Sequence, residues 1–235
     1  MKFSEKFLSN QDENIKFFHD KGSFNEKLYS TIIEANNMTD YDSKYSFELH
    51  EDFSMEDMSV SPVYFSLLET LIRLKSYSKI LEIGTFLGAT SIRFANIIGN
   101  KGTVTTIEKF DQFAEIAQRN FKNNCLFDNI NLIIGDAMDI LKDFDDNNTF
   151  DFVFIDGNKE HYYEYIVQAD RILEKDRMII VDDIFFSGDA LNQKPSTEKG
   201  RGVKKVLQNL NTFDNYRITT LPIGNGCLIL TLKSD

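Results

Sequence analysis

The sequence predicts an α/β fold: a doubly wound, seven-stranded, mostly parallel sheet with an antiparallel last strand and helices on both faces. Three observations carry this expectation. From Lys79 onward, short apolar runs rich in Ile, Val and Phe alternate with helical patterns, the signature of a parallel sheet covered on both sides. The first run, Ile80 to Ile83, breaks at Gly84, with Gly88 four residues on, before the helical pattern of Ile92, Phe94, Ala95, Ile97 and Ile98. The last two runs are separated only by a turn around Gly224-Asn225-Gly226, too short for a crossover helix, so the final strand must run antiparallel to its neighbour.

The bulk properties narrow the class. A chain of 235 residues is long enough for one domain with a sizeable core, and 42% hydrophobic with 27% charged residues is ordinary for a globular protein. The net charge of −11 argues against general binding to nucleic-acid phosphates. Cys125 and Cys227 form neither a disulfide framework nor a zinc pattern, and their apolar surroundings predict reduced core thiols. The first residues lack the apolar core of a signal peptide and no stretch reaches the length of a membrane span, so a cytoplasmic location is expected.

Residues 1–57 lack the strand–helix rhythm and read as an appendage to a main domain over 58–235. Phe3, Phe7, Phe17 and Phe18 alternate with charges, and Leu28, Tyr29, Ile32 and Ile33 predict an amphipathic helix ending near Asn36. Asp40 to Asp57 reads as acidic loop. Ser61-Pro62 opens a helix with apolar face Leu67, Leu68, Leu71, Ile72 and Leu74. Further strands are expected over 103–108, 130–134, 150–156, 177–182, 216–221 and 227–232. Helices are expected from Asp111, around Ile140 and Leu141, over 160–173, and over 203–210.

Ligands of open α/β sheets bind outside the carboxyl ends of the strands. Here those ends carry Glu82, Glu108, Asp136, Asp156 and the pair Asp182–Asp183. One acidic strand end is unremarkable; acid at every consecutive parallel strand end is not. Gly84-x-x-x-Gly88 is neither the G-x-G-x-x-G of dinucleotide binders nor a P-loop, and Glu82 would repel a diphosphate. Glu108 is placed to accept the hydroxyls of a ribose and Asp136 an adenine amino group, while Glu82 and Asp156 suit an ammonium. A nucleoside carrying an amino acid and no diphosphate is S-adenosylmethionine. Asp156, Asp182 and Asp183 then remain as hard oxygen donors suited to Mg²⁺, with Ca²⁺ or Mn²⁺ as alternatives, and Lys159 lies beside them.

Together these residues resemble the class I S-adenosylmethionine-dependent methyltransferases, which are Rossmann-like. More narrowly they resemble the metal-dependent O-methyltransferases typified by catechol and caffeoyl-CoA O-methyltransferases. The resemblance runs from about Met58 to the C-terminus. It rests on Leu81-Glu82-Ile83-Gly84-Thr85-Phe86-Leu87-Gly88, on Phe154-Ile155-Asp156-Gly157-Asn158-Lys159, and on Leu221-Pro222-Ile223-Gly224-Asn225-Gly226. It implies that Val60, Glu82, Gly84, Thr85 and Thr90 surround the methionine end of the cofactor, with Phe86 and Gly88 in the same motif. It assigns Glu108 to the ribose, Asp136 and Ala137 to the adenine, and Asn158 with Asp156 to the cofactor side of the metal motif. Asp156, Asp182 and Asp183 fall on the metal positions, Lys159 on the catalytic base, and Tyr165 and Asn225 near the acceptor. The family also implies a homodimer in which the N-terminal region helps to form the substrate pocket.

The chain departs from the family pattern at three places: Asp183 stands where Asn is usual, and Asn158 and Asn225 stand where Asp is usual. Three carboxylates around one dication bind it more tightly but weaken its pull on a bound hydroxyl. The expected reaction is attack of a hydroxyl oxygen of a small catechol-like or vicinal-diol acceptor on the sulfonium methyl group. A hydroxylated tRNA nucleoside is the alternative acceptor, on the basic run Lys194, Lys199, Arg201, Lys204 and Lys205. A nicotinamide-dependent dehydrogenase is a distant alternative, for want of the G-x-G-x-x-G turn.

Overall fold

The structure is a computed structural model, and it describes residues 30–36, 44–53, 60–126, 128–145 and 150–233. The chain divides into two compact units, Met1–Thr39 and Asp40–Asp235. In the first, residues 30–35 are helical, and the backbone and side-chain amides of Asn36 both donate to Ile32 O, closing the last turn where the sequence places its end. Phe3, Phe7, Phe17, Phe18, Leu28 and Tyr29 lie outside the described residues.

The second unit holds one seven-stranded sheet in the order β3-β2-β1-β4-β5-β7-β6. Its strands are β1 (Lys79–Ile83), β2 (Thr103–Glu108), β3 (Ile130–Ile134), β4 (Phe150–Ile155), β5 (Leu173–Val181), β6 (Tyr216–Leu221) and β7 (Cys227–Leu232). Strands β1 to β5 pair in parallel, and β7 pairs antiparallel with both β5 and β6. The order reverses between β1 and β4, whose carboxyl ends flank the crevice where doubly wound sheets hold ligands. The helices are α1 (Pro62–Lys75), α2 (Ala89–Ile98), α3 (Asp111–Asn123), α4 (Ala137–Ile140), α5 (Tyr162–Ile172) and α6 (Glu198–Gln208).

Alternate strand residues feed two cores. Leu81, Ile83, Val153, Ile155, Ile179 and Val181 pack with α5 and α6 on one face. Ile80, Phe152, Phe154, Met178 and Ile180 pack with α1 and α2 on the other. Burial on both faces explains why these strands read as continuous apolar runs, each buried Leu, Ile or Phe contributing about 1.5–3 kcal/mol.

Three local expectations need correction. Helix α1 starts as expected, with Ser61 Oγ accepting from Tyr64 N (3.3 Å) and Pro62 at its first turn, but it buries Tyr64, Phe65, Leu68 and Ile72. Leu74 is 75% exposed, because two residues beyond Ile72 the helix has turned by about 200°. Strand β5 begins at Leu173, earlier than expected, and its extension carries a register irregularity against Phe150 and Phe152. Cys125 is exposed rather than a core thiol, because it sits in a left-handed turn (φ 57°) just after α3 ends; Cys227 is buried, and burial pushes its thiol up to about 12.

Candidate active site

The strand-to-helix turn after β1 is shaped by close backbone packing. Gly84 has φ +104°, and a Cβ there would lie 2.4 Å from the Asp156 carbonyl oxygen, so β1 and β4 meet at a distance only glycine permits. Gly84 N donates to Ile107 O (3.0 Å) and Asp156 N donates to Ile83 O (2.9 Å), which tie the ends of β2, β1 and β4 together. Gly88 N closes the turn on Thr85 O (2.9 Å), and Gly88 caps α2 in a left-handed conformation with no side-chain hydrogen bond. The first amides of α2 are therefore left without a side-chain cap, a setting suited to an anionic group.

Above this crevice lies a cavity of about 780 Å³, large enough for a nucleoside-sized ligand and a small acceptor. Of the sequence-predicted residues, Gly84, Thr85, Phe86, Thr90, Glu108, Asp136, Ala137, Asp156, Asn158, Lys159, Tyr165, Asp182, Asp183 and Asn225 line it. Val60, Glu82 and Gly88 are not among its lining residues, and Val60 and Glu82 are buried.

Each acid has a distinct setting. Glu108 receives Phe86 N (2.8 Å) and Phe110 N (2.9 Å); burial raises its pKa, and these backbone donors oppose the rise. Glu82 is fully buried and accepts from the hydroxyls of Ser91 and Thr106, and Thr106 in turn meets Thr85 (2.6 Å). Burial pushes Glu82 up to about 8 against these donors, so it holds its proton at neutral pH and acts as a strut between β1, β2 and α2. Asp136 is held by Lys109 Nζ (2.7 Å) and by Met138 N (2.9 Å), and the Lys109 pair lowers its pKa.

Asp156 and Asp182 sit one residue past β4 and β5, and Asp183 follows in a left-handed conformation (φ 53°) that Asn and Asp adopt more readily than most residues. Lys159 Nζ lies 2.9 Å from Asp183 Oδ2 and 3.3 Å from Asp156 Oδ1. Burial raises both Asp156 and Asp182, and the neighbouring carboxylates add to the rise. Burial disfavours the Lys159 ammonium, but Tyr162, Asp156 and Asp183 outweigh it and hold its pKa well above the ordinary lysine value. Lys159 is thus a firmly held ammonium here.

The aspartates fit a hard dication in chemistry: three oxygen donors at adjacent strand ends, two of them with pKa values raised first by burial and further by the neighbouring carboxylates. Among the described residues no acidic, histidine or cysteine side chains form a preformed ligand cluster, and the Lys159 ammonium contacts both Asp156 and Asp183.

Sequence reasoning missed several wall residues. Ser61, Tyr64, Lys109, Phe110, Phe113, Phe186 and Lys199 line the cavity, and the Tyr162 ring lies 5.5 Å from Lys159 Nζ. The aromatic alternation Phe110 and Phe113, immediately after Glu108, was the available signal; Phe110 is 54% exposed. The closing hairpin is seated by Phe185 N donating to Asn225 O (2.8 Å) and by Gly226, where a Cβ would strike the Phe185 ring at 2.5 Å. In the basic run, Arg201 pairs with Glu198, Lys205 with Glu164, and Lys204 donates to the carbonyls of Asn192 and Gln193, which leaves little of the run free for a phosphate backbone. Among the described residues no helix is long and apolar enough to cross a membrane.

Residues 38–234 match the model of the O-methyltransferase family. A catechol O-methyltransferase of Niastella koreensis is 29% identical over 153 residues, which cover 64% of this chain and 69% of that protein. The structure of the O-methyltransferase TomG from Streptomyces achromogenes, involved in tomaymycin synthesis and solved with S-adenosylmethionine (SAM), is 29% identical with a TM-score of 0.71, covering 79% of this chain and 86% of its own. An O-methyltransferase from Bacillus cereus in complex with SAH shares the fold at 22% identity and a TM-score of 0.69, covering 94% and 96% of the two chains. The chain belongs to the O-methyltransferase family of class I enzymes, of the catechol and caffeoyl-CoA type, which use S-adenosylmethionine as methyl donor.

Proposed function

We propose that this enzyme transfers the methyl group of S-adenosylmethionine to a hydroxyl oxygen of a small acceptor bearing two neighbouring oxygens, a catechol or another vicinal diol. The observation that carries this reading is the single cavity wall on which Lys159 and the carboxylates of Asp156, Asp182 and Asp183 stand beside the Gly84–Thr85 turn. The relative named catechol O-methyltransferase supports the acceptor class.

In this reading Glu108 accepts from the ribose hydroxyls and Asp136 with Ala137 meets the adenine. Val60, Glu82, Gly84, Thr85, Phe86, Gly88, Thr90 and Asn158 surround the amino-acid end. Tyr165 and Asn225 border the acceptor. Asp156, Asp182 and Asp183 are the residues that hold a divalent cation, Mg²⁺ first and Ca²⁺ or Mn²⁺ as alternatives. Such an ion would favour ionisation of a neighbouring hydroxyl and would offset the carboxylate charge that keeps Lys159 protonated. Lys159, acting in its neutral form, takes the proton of the attacking hydroxyl as the O–CH₃ bond forms and the S–CH₃ bond breaks, leaving S-adenosylhomocysteine. Holding the oxygen in line with the sulfonium methyl supplies a large part of the acceleration. The enzyme is read as a cytoplasmic homodimer of an appendage over 1–57 and a catalytic domain over 58–235.

The test is methyl transfer from labelled S-adenosylmethionine to catechol and to phenol, before and after EDTA treatment. Transfer to catechol but not phenol, lost with EDTA and restored by Mg²⁺, is expected. Equal transfer to phenol would remove the vicinal-diol requirement, and full activity in EDTA would remove the metal.

A further inference from the structure

The segment 44–53 lies in the same compact unit as the sheet and is bonded along α3 by a regular ladder. Ser46 N donates to Asn124 Oδ1 (3.0 Å) and Asn124 Nδ2 donates back to Ser46 O (2.8 Å). Two residues on, Glu48 N donates to Asn120 Oδ1 (2.6 Å) and Asn120 Nδ2 donates to Glu48 O (3.1 Å). The spacing is a physical match: two residues of extended chain span about 6.7 Å, and four residues of helix rise about 6 Å. Two asparagines one turn apart therefore serve an extended strap as a neighbouring strand would.

Asn120 does more than hold the strap. It is fully buried, and its amide also donates to Leu87 O (2.9 Å), inside the turn between β1 and α2. One side chain thus joins the strap to the cofactor turn. Further along the strap, Phe53 packs edge-on against Phe86 (5.5 Å) and Phe113 (5.9 Å), and both of these line the cavity. Phe86 is a non-glycine residue at φ 50°, a conformation that surrounding contacts must hold in place.

We infer that Asn120 is a positioning residue for the cofactor site, coupling docking of the 44–53 strap to the shape of the Thr85–Gly88 turn and so to S-adenosylmethionine affinity. The inference rests on the reading that this turn holds the cofactor. By linkage, a ligand that favours the ordered turn also tightens the strap, and loosening the strap weakens the ligand by the same factor.

Two measurements test it on the full chain. Calorimetry gives the affinity for S-adenosylhomocysteine, and hydrogen exchange follows the Ser46 and Glu48 amides with and without it. Expected are slower exchange at both amides when the ligand is bound and a Kd raised about tenfold in Glu48→Pro, which deletes one strap donor without touching the cavity. Asn120→Ala is expected to weaken binding similarly and to abolish the ligand-induced slowing. Arg119→Ala, which removes only the exposed pair to the Glu48 side chain, is expected to leave both readouts near wild type. Unchanged exchange on ligand addition, or wild-type affinity in Glu48→Pro, would overturn the coupling while leaving the cofactor reading intact. Absence of binding to the wild-type protein would overturn both.

Discussion

The ammonium of Lys159 stands 2.9 Å from a carboxylate oxygen of Asp183, the second of the two consecutive aspartates that follow β5. The extra carboxylate gives the lysine an anionic partner that Asn would not supply. Lys159 and Asp183 are therefore linked in any account of proton transfer at this site.

Replacing Lys159 should separate chemistry from binding. In Lys159→Ala, kcat is expected to fall by about 10²–10⁴-fold, while the Kd for S-adenosylhomocysteine changes little. Single-turnover rates alongside calorimetry check this. Unchanged turnover on a diol acceptor would end the base assignment.

At position 183 the two replacements should diverge. Asp183→Asn removes one charge from Lys159 yet keeps a side chain tolerant of the left-handed backbone, so folding is expected to be preserved and the ascending, acid-side limb of kcat, set by deprotonation of Lys159, to move to lower pH. Asp183→Ala carries the backbone cost, roughly 1–2 kcal/mol. Thermal unfolding and pH–rate profiles of the pair distinguish the two effects.

Glu82 predicts a pH dependence of stability. Its folded pKa, about 8, lies above the ordinary glutamate value of 4.5, so the native state binds the extra proton between these values. Stability is therefore fully present below the unfolded pKa and falls as pH rises from about 4.5 through 8, by up to about 1.4 kcal/mol per pH unit from this group. Glu82→Gln, which mimics the protonated form, should flatten that slope in denaturant titrations. An unaltered slope would show that Glu82 is ionised in the native protein.

Gly84→Ala should be severe. The added methyl group meets the Asp156 carbonyl oxygen at 2.4 Å, in a backbone conformation at φ +104° that itself costs roughly 1–3 kcal/mol outside glycine. Lower thermal stability together with loss of S-adenosylhomocysteine binding is the expected result. Because the clash is with backbone rather than a flexible side chain, wild-type behaviour would mean that β1 and β4 separate more easily than their hydrogen bonds suggest.

Much of the fold was readable from patterns with local causes. The alternation of apolar runs with helical periodicity, the Gly84 turn and the short link at Gly224-Asn225-Gly226 carried the parallel sheet and its antiparallel last strand, all of which the structure contains. Where reading failed, the reason was direction rather than composition. Leu74 belongs to an apolar-rich helix but points away from the core, and Cys125 has apolar neighbours but falls on an exposed left-handed turn. The hydroxyl partners of Glu82, Ser91 and Thr106, lie 9 and 24 residues away in sequence, so no local spacing announces them.

By itself the sequence determined which chemistry is present: acids at successive strand ends, a glycine-rich turn and a lysine three residues after Asp156, because these follow from residue identity and spacing along the chain. Only the tertiary structure decided which of those groups meet. It brings Glu82 to Ser91 and Thr106, sets Lys159 between Asp156 and Asp183, and brings Asn120 to both Glu48 and Leu87. Those relations depend on contacts between residues distant in sequence and on the low polarity of a buried site, and neither is written in local spacing.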